Sequence, residues 1–183
     1  MVKRIVFSGS GGQGVITASI ILAEAAVIYD NLLAVQTQSY GPEARGGATR
    51  ADVIISQEPI YYPKVINPHI LVCLTQEAYT KFAGIIRPGG LLLTDAKFVK
   101  TERKVDARQV ELGMYGAVME QIGNPIVFNI CMLGALIALT SVVRMESVAQ
   151  VLQSKIDPRF IQANVKALQI GSELADGRHL NGT

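Results

Sequence analysis

Apolar and polar positions fall into two regimes along the chain. Short apolar runs bounded by glycine, proline or polar turns occupy the first part, and longer apolar stretches of helical length follow. Val2–Ser8 reads as a short buried strand. Gly9-Ser10-Gly11-Gly12-Gln13-Gly14 follows as a turn. From Val15 to Tyr29 only Thr17, Ser19 and Glu24 are polar before Tyr29, which predicts a helix apolar on nearly every face, with Asn31 as its stop signal. Leu32–Gln36 reads as a second strand. Strand, glycine turn, helix and strand together make a βαβ unit.

The polar, glycine-rich segment Thr37 to Thr49 is long for a connection in a compact domain, and such loops are usually functional or disordered. Arg50–Ser56 and Ile70–Leu74 read as strands, with Tyr61-Tyr62-Pro63 between them. Glu77–Ile86 reads as helix, Arg87-Pro88-Gly89-Gly90 as a turn and Leu91–Asp95 as a further buried strand. Glu102–Gln109 holds either a last strand or a surface link. From about Tyr115 the pattern is helical: Val118–Ile122, Phe128–Thr140, Met145–Lys155 and Arg159–Ala175. The expected fold is α/β: a Rossmann-like, mostly parallel, doubly wound sheet with a helical C-terminal appendage. Residues 1–175 are expected to form one domain, with Asp176–Thr183 a frayed polar tail.

Composition narrows the class. Of 183 residues, 49% are hydrophobic and 17% charged, enough for a substantial core and few charges for a solvated surface. The lean charge count fits either a surface partly covered by partners or a well-buried α/β sheet. A net charge of +2 argues against nucleic acid or an anionic membrane as partner. Gly123 to Val143 carries no charged residue and is long enough to raise a membrane span. Pro125 and Asn129 interrupt its start and Thr140 and Ser141 its end, so a helix buried in the core or at a subunit contact is expected instead. Cys73 and Cys131 lie inside apolar runs and form no C-x-x-C pair, which predicts buried thiols and no iron–sulfur or zinc site. The first strand begins directly, without a signal-like segment, so a cytoplasmic location is expected.

The glycine turn carries the first candidate chemistry. Gly9-x-Gly11-x-x-Gly14 sits straight after a strand and opens a helix, the setting of a dinucleotide fingerprint. Glycines there allow a tight turn, close approach of backbone to a ligand and close helix–strand packing, and the first helical amides face an anion. A nicotinamide site wants an acid roughly 20 residues on; Val35-Gln36-Thr37-Gln38 has none. A P-loop wants a lysine and a Ser/Thr after its last glycine; Val15 and Ile16 stand there. Both obvious nucleotides are disfavoured. The glycines could also serve only a tight corner. Gln13 could cap the helix or reach across an interface.

The second candidate is Ser39-Tyr40-Gly41-Pro42-Glu43-Ala44-Arg45-Gly46-Gly47. It holds an aromatic, a carboxylate and an arginine among glycines and a proline, a composition that can fix polar groups in place. Its plainer reading is a surface loop with a local Glu43–Arg45 pairing. Together, the Gly9–Gly14 turn and Gln38–Gly47 resemble the gamma subunit of 2-oxoacid:ferredoxin (acceptor) oxidoreductases. Arg50–Ser56, Pro88-Gly89-Gly90 and Asn129–Ala135 carry further likeness, and the match runs from about Val2 to Ile156. The loop resembles the 2-oxoglutarate branch most closely.

The resemblance implies a subunit without catalytic residues of its own. In that family the assembled enzyme converts a 2-oxoacid and coenzyme A to acyl-CoA and carbon dioxide, passing two electrons to ferredoxin. Alpha and beta subunits bind thiamine diphosphate and magnesium, and iron–sulfur clusters with a ferredoxin-like delta subunit carry electrons. This chain has no thiamine diphosphate motif and no cysteine set for clusters. The resemblance makes Gly9, Gly11, Gly12, Gln13, Gly14, Tyr40, Gly41, Glu43, Arg45 and Gly46 the candidate binding residues, forming a wall that helps close over coenzyme A. Arg45 is the candidate for a phosphate or carboxylate contact. His69, His179 and Asp95 are read as structural. When isolated, the chain could pair with itself as a homodimer. The rival readings are a free-standing nicotinamide- or flavin-dependent oxidoreductase and a nucleotide-binding regulatory module.

Overall fold

Ile5, Val6 and Phe7 are three consecutive side chains wholly excluded from solvent, so their strand must be covered on both faces. In the computed structural model, which describes residues 2–39, 47–102 and 104–179, that strand is β1 (Val2–Gly9), at the centre of a six-stranded sheet. The other strands are β2 (Leu33–Ser39), β3 (Thr49–Ser56), β4 (Ile70–Cys73), β5 (Gly90–Asp95) and β6 (Ala107–Leu112). Their order is β2-β3-β1-β4-β5-β6. β1, β4, β5 and β6 pair in parallel, and β3 runs antiparallel to both β1 and β2. The mostly parallel, doubly wound expectation holds.

The N-terminal βαβ reading needs a correction. β1 and β2 run the same way and are joined by α1 (Val15–Glu24), but β3 lies between them. β2 and β3 pair Leu33 with Ser56 through Ser39 with Arg50, and β3 slots in beside β1. β3 is apolar on both faces, and only an interior position buries both. β2 is therefore an edge strand.

Period-2 alternation divides the core. Ile5, Phe7, Val53, Val72 and Leu93 face one side and pack on α1, α3 (Met114–Gln121), α4 (Phe128–Thr140) and α6 (Pro158–His179). Val6, Ile54, Leu71 and Leu92 face the other and meet Ala78, Tyr79 and Phe82 of α2 (Gln76–Phe82). α5 (Met145–Lys155) joins the first cluster through Val148, Val151 and Leu152.

The uncharged stretch is α4, buried continuously from Phe128 to Ile137. Among the described residues no helix is long and apolar enough to cross a membrane. α4 lies against α6 so closely that a Cβ on Gly134 would collide with the Leu168 backbone, and one on Gly171 with the Cys131 carbonyl. α6 also continues through Asp176–His179, where a frayed tail was expected; residues 180–183 lie outside the described residues. Near the β2 edge, Ile20, Val27, Ile28 and Leu33 are exposed apolar side chains.

Candidate functional site

Parallel strands all end at one side of the sheet, and the loops there form the usual ligand crevice of such folds. Gly9–Gly14 occupies this side, between β1 and α1. Gln13 braces the turn from within. Its Oε1 accepts the Ser10 amide at 2.8 Å, and its Nε2 donates to the Leu74 carbonyl at 3.2 Å, just past β4. A Cβ on Gly9 would lie 2.5 Å from Gln13 Oε1, so Gly9 is the space this brace needs. Of the two roles open to Gln13 in the sequence, the structure shows neither: it is an internal strut.

Gly14 has a second fixed duty. It adopts φ 71°, a left-handed conformation that favours glycine, and stands at the N-cap of α1. A Cβ there would lie 2.5 Å from Asn129 Nδ2, which donates to the Gly14 carbonyl at 3.2 Å. Gly11 and Gly12 differ: both are exposed, and a Cβ on either meets nothing within 4 Å. Gly12 has φ 87°. Gly9, Gln13 and Gly14 thus build the turn, and Gly11 and Gly12 present open backbone where a ligand can approach.

Tyr40, Gly41, Glu43, Arg45 and Gly46 lie outside the described residues. Their flanks are well placed. Ser39 ends β2, Thr49 begins β3, and Gly9 pairs with Thr49. Ser8 Oγ also donates to the Thr49 carbonyl at 2.9 Å. Both ends of the loop therefore spring from the side of the sheet that holds the glycine turn. Arg50 is a fixed post at its base: its guanidinium binds Asp52 at 2.7 and 2.9 Å, donates to the Val65 carbonyl and stacks over Phe82. A depression of about 460 Å³ beside this base is lined by Thr37, Ser39, Arg50, Asp52 and Lys64, among others.

Of the remaining titratable candidates, Asp95 and the two buried cysteines serve the fold. Asp95, fully buried at the end of β5, accepts the Lys97 amide at 2.9 Å and the Tyr115 amide at 2.8 Å, tying β5 to the first turn of α3. Burial pushes its carboxyl above the usual range against those bonds. Burial likewise pushes the Cys73 thiol up to about 12, and burial together with the Asp95 charge does the same for Cys131. His69 sits at the opposite end of the sheet, before β4; His179 is the last residue of α6. Among the described residues no three His, Cys, Asp or Glu side chains gather into a metal-holding group. Asn129 and Ser8 escaped the sequence reading as parts of the site. A lone amide opening a wholly apolar helix was the available signal, since a buried amide needs partners.

The arrangement recurs in known proteins. Residues 4–174 match the family model for pyruvate ferredoxin/flavodoxin oxidoreductase. The chain belongs to this family. Among the family's members, it is 48% identical over 177 residues to the 2-oxoglutarate synthase subunit KorC of Methanocaldococcus jannaschii, covering 96% of this chain and 95% of that one. The keto/oxoacid ferredoxin oxidoreductase gamma subunit of Geobacter sulfurreducens superposes with a TM-score of 0.90 at 40% identity, over 97% of this chain and 98% of that one. The same fold forms 31% of a chain of the 2-oxoglutarate:ferredoxin oxidoreductase of Magnetococcus marinus, at 22% identity and a TM-score of 0.86. In this oxidoreductase family the fold thus occurs both as a separate gamma subunit and within a longer chain.

Proposed function

We propose that this chain is the gamma subunit of a 2-oxoglutarate:ferredoxin oxidoreductase, and that its glycine turn and the adjoining 40–46 loop form one wall of the coenzyme A site. The carrying observation is the division of labour within the turn. Gly11 and Gly12 leave backbone open to a ligand, while Gly9, Gln13 and Gly14 are engaged in holding that backbone rigid. The Methanocaldococcus relative, similar along nearly its whole length, belongs to a 2-oxoglutarate synthase, which favours that substrate. The Magnetococcus enzyme, which contains the same fold, is known with 2-oxoglutarate, coenzyme A and succinyl-CoA bound.

The chemistry of such a wall is positional. Amides at the start of α1 lack intrahelical partners and carry the positive end of the helix dipole, so they attract a phosphate. Exposed glycines admit it to backbone distance. Arg45 adds a full charge and fork-like donors. Holding the pantetheine end in register against the partner subunits converts an encounter into a positioned reaction. Thiamine diphosphate and magnesium on the alpha and beta chains, with iron–sulfur clusters and a ferredoxin-like delta chain, supply the carbon chemistry and the electron path. The exposed Ile20, Val27, Ile28 and Leu33 suit a chain that is covered in an assembly.

The test is kinetic, on the complex reconstituted with Arg45→Ala or Gly11→Val. The KM for coenzyme A should rise, with KM for 2-oxoglutarate unchanged. Unchanged coenzyme A kinetics in both variants, with assembly intact, would overturn the reading.

A further inference from the structure

The end of the sheet opposite the glycine turn gathers cations. Lys3 and Arg4 lie near the start of β1, His69 just before β4, Arg87 just before β5 and Arg108 near the start of β6. Two adjoining depressions of about 380 and 490 Å³ share His69, Arg87 and Pro88. Lys3 and Arg108 line the first, Arg4 and Lys64 the second, and among the described residues no carboxylate lines either. None of these five Lys and Arg side chains forms an ion pair among the described residues. A chain of net charge +2 thus concentrates four cations at this end of the sheet, and Lys64, which also lines the depression beside the loop base, flanks them.

Among the described residues, the centre of this surface lacks a side-chain acceptor for Arg87. His69 is locked in place: its amide donates to the Arg4 carbonyl at 2.8 Å, and its own carbonyl accepts from Leu91 at 2.9 Å. Its Nδ1 accepts the Arg4 amide at 3.1 Å, so the neutral ring carries its proton on Nε2. Arg87 Nη1 lies 2.6 Å from that nitrogen. Two donors therefore face one another. Burial and the charges of Arg87, Lys3 and Arg4 hold the imidazole below its ordinary pKa, which keeps the ring neutral. Gly89, at φ 70°, would place a Cβ in open space, so backbone here is open to a ligand. The last turn of α4, through Leu139 and Thr140, contributes a partial negative charge of roughly one half; the full cations of the lining outweigh it.

We propose that this surface is an oxyanion site, centred on His69 and Arg87, that takes a phosphate-bearing small molecule. An oxygen accepting from both Nε2–H and the guanidinium resolves the donor–donor contact. The flanking cations match more than one negative charge, and the pocket volumes are those of a small-molecule site. Exposed Tyr62 and Ile66 on the rim of the second depression offer apolar surface to an organic portion. Its centre at His69 and Arg87 lies at the other end of the sheet from the proposed coenzyme A wall and does not depend on it.

The test titrates the full chain with pyrophosphate and follows the His69 ring resonances by NMR. A saturable shift in the millimolar range or tighter is expected, weakened about tenfold or more in Arg87→Gln. Arg108→Gln provides a second variant should the first fold poorly by circular dichroism. Absence of saturation, or wild-type binding in both variants, overturns the proposal. It is equally overturned if pyrophosphate leaves His69 unmoved while Arg87→Gln blocks assembly of the complex, because the surface is then a protein interface.

Discussion

The side-chain amide of Asn129 donates to the carbonyl of Gly14 at 3.2 Å, joining two residues 115 positions apart in the chain. The bond fastens the first turn of α4 to the start of α1 and holds the glycine turn against the helical layer. Substitution of Gly14 by alanine places a Cβ 2.5 Å from Asn129 Nδ2 and forces a left-handed φ on a residue that resists it. Denaturant unfolding should show Gly14→Ala destabilised by roughly 2–4 kcal/mol. Gly11→Ala, with open space around its Cβ, should fall within about 0.5 kcal/mol of wild type. Equal losses at the two positions would contradict the division of the turn into frame and open backbone.

The contact between α4 and α6 rests on backbone approach. Gly134 and Gly171 each face the other helix with no room for a methyl group. Gly134→Ala or Gly171→Ala must push the helices apart across a core that includes Leu133, Leu136 and Leu168. A loss of about 3 kcal/mol or more is expected for each, read as a fall in denaturation midpoint. Gly177→Ala on the same helix has free space and should be neutral or slightly stabilising.

Asp30 links the end of the first helical segment to α5. Its carboxylate accepts from Ser147 Oγ and from the amide and guanidinium of Arg144. Burial pushes its carboxyl up, but those bonds, led by Ser147 and then Arg144, outweigh burial and hold it below the usual carboxylate value of 3.8. A depressed native pKa makes the contribution complete above 3.8 and lost as pH falls through the lower native value. Asp30→Asn should reduce stability at neutral pH and flatten this part of the acid limb of a stability–pH curve. An acid limb parallel to wild type below pH 4 would remove Asp30 from that account.

Cys73 and Cys131 are both wholly buried, with thiols pushed up to about 12. A thiolate is the reactive form, so neither is available near neutral pH. Native protein should leave both thiols unmodified by a disulfide reagent that titrates two equivalents after unfolding. Rapid labelling of the folded chain would place at least one cysteine in a more open setting.

Much of this molecule is legible in one dimension. Phe128–Thr140 and Met145–Lys155 read directly as helices, because an uninterrupted apolar run and an amphipathic one each leave a clear period. The short apolar runs at Ile5–Phe7, Ile70–Cys73 and Leu91–Leu93 announced strands buried on both faces. β6 reads equally as strand or surface link, because an edge strand with exposed Arg108 carries a weak alternation. α6 overran its expected end because packing of Ala175 sustains a helix whose last residues are polar.

What the sequence determined alone is local: the glycine turn between strand and helix, the loop composition from Ser39 to Gly47, and the absence of the acid and lysine that known nucleotide sites require. These follow from residue types at fixed spacing. The tertiary structure decided everything that depends on distant partners. It inserted β3 between β1 and β2, which brings the ends of the loop beside the turn. It committed Gln13 to Ser10 and Leu74, and Gly14 to Asn129, leaving Gly11 and Gly12 open. It also set His69 against Arg87 at the far end of the sheet. Hydrogen-bonding capacity is written in each residue, but which partner uses it is settled only when the chain closes on itself.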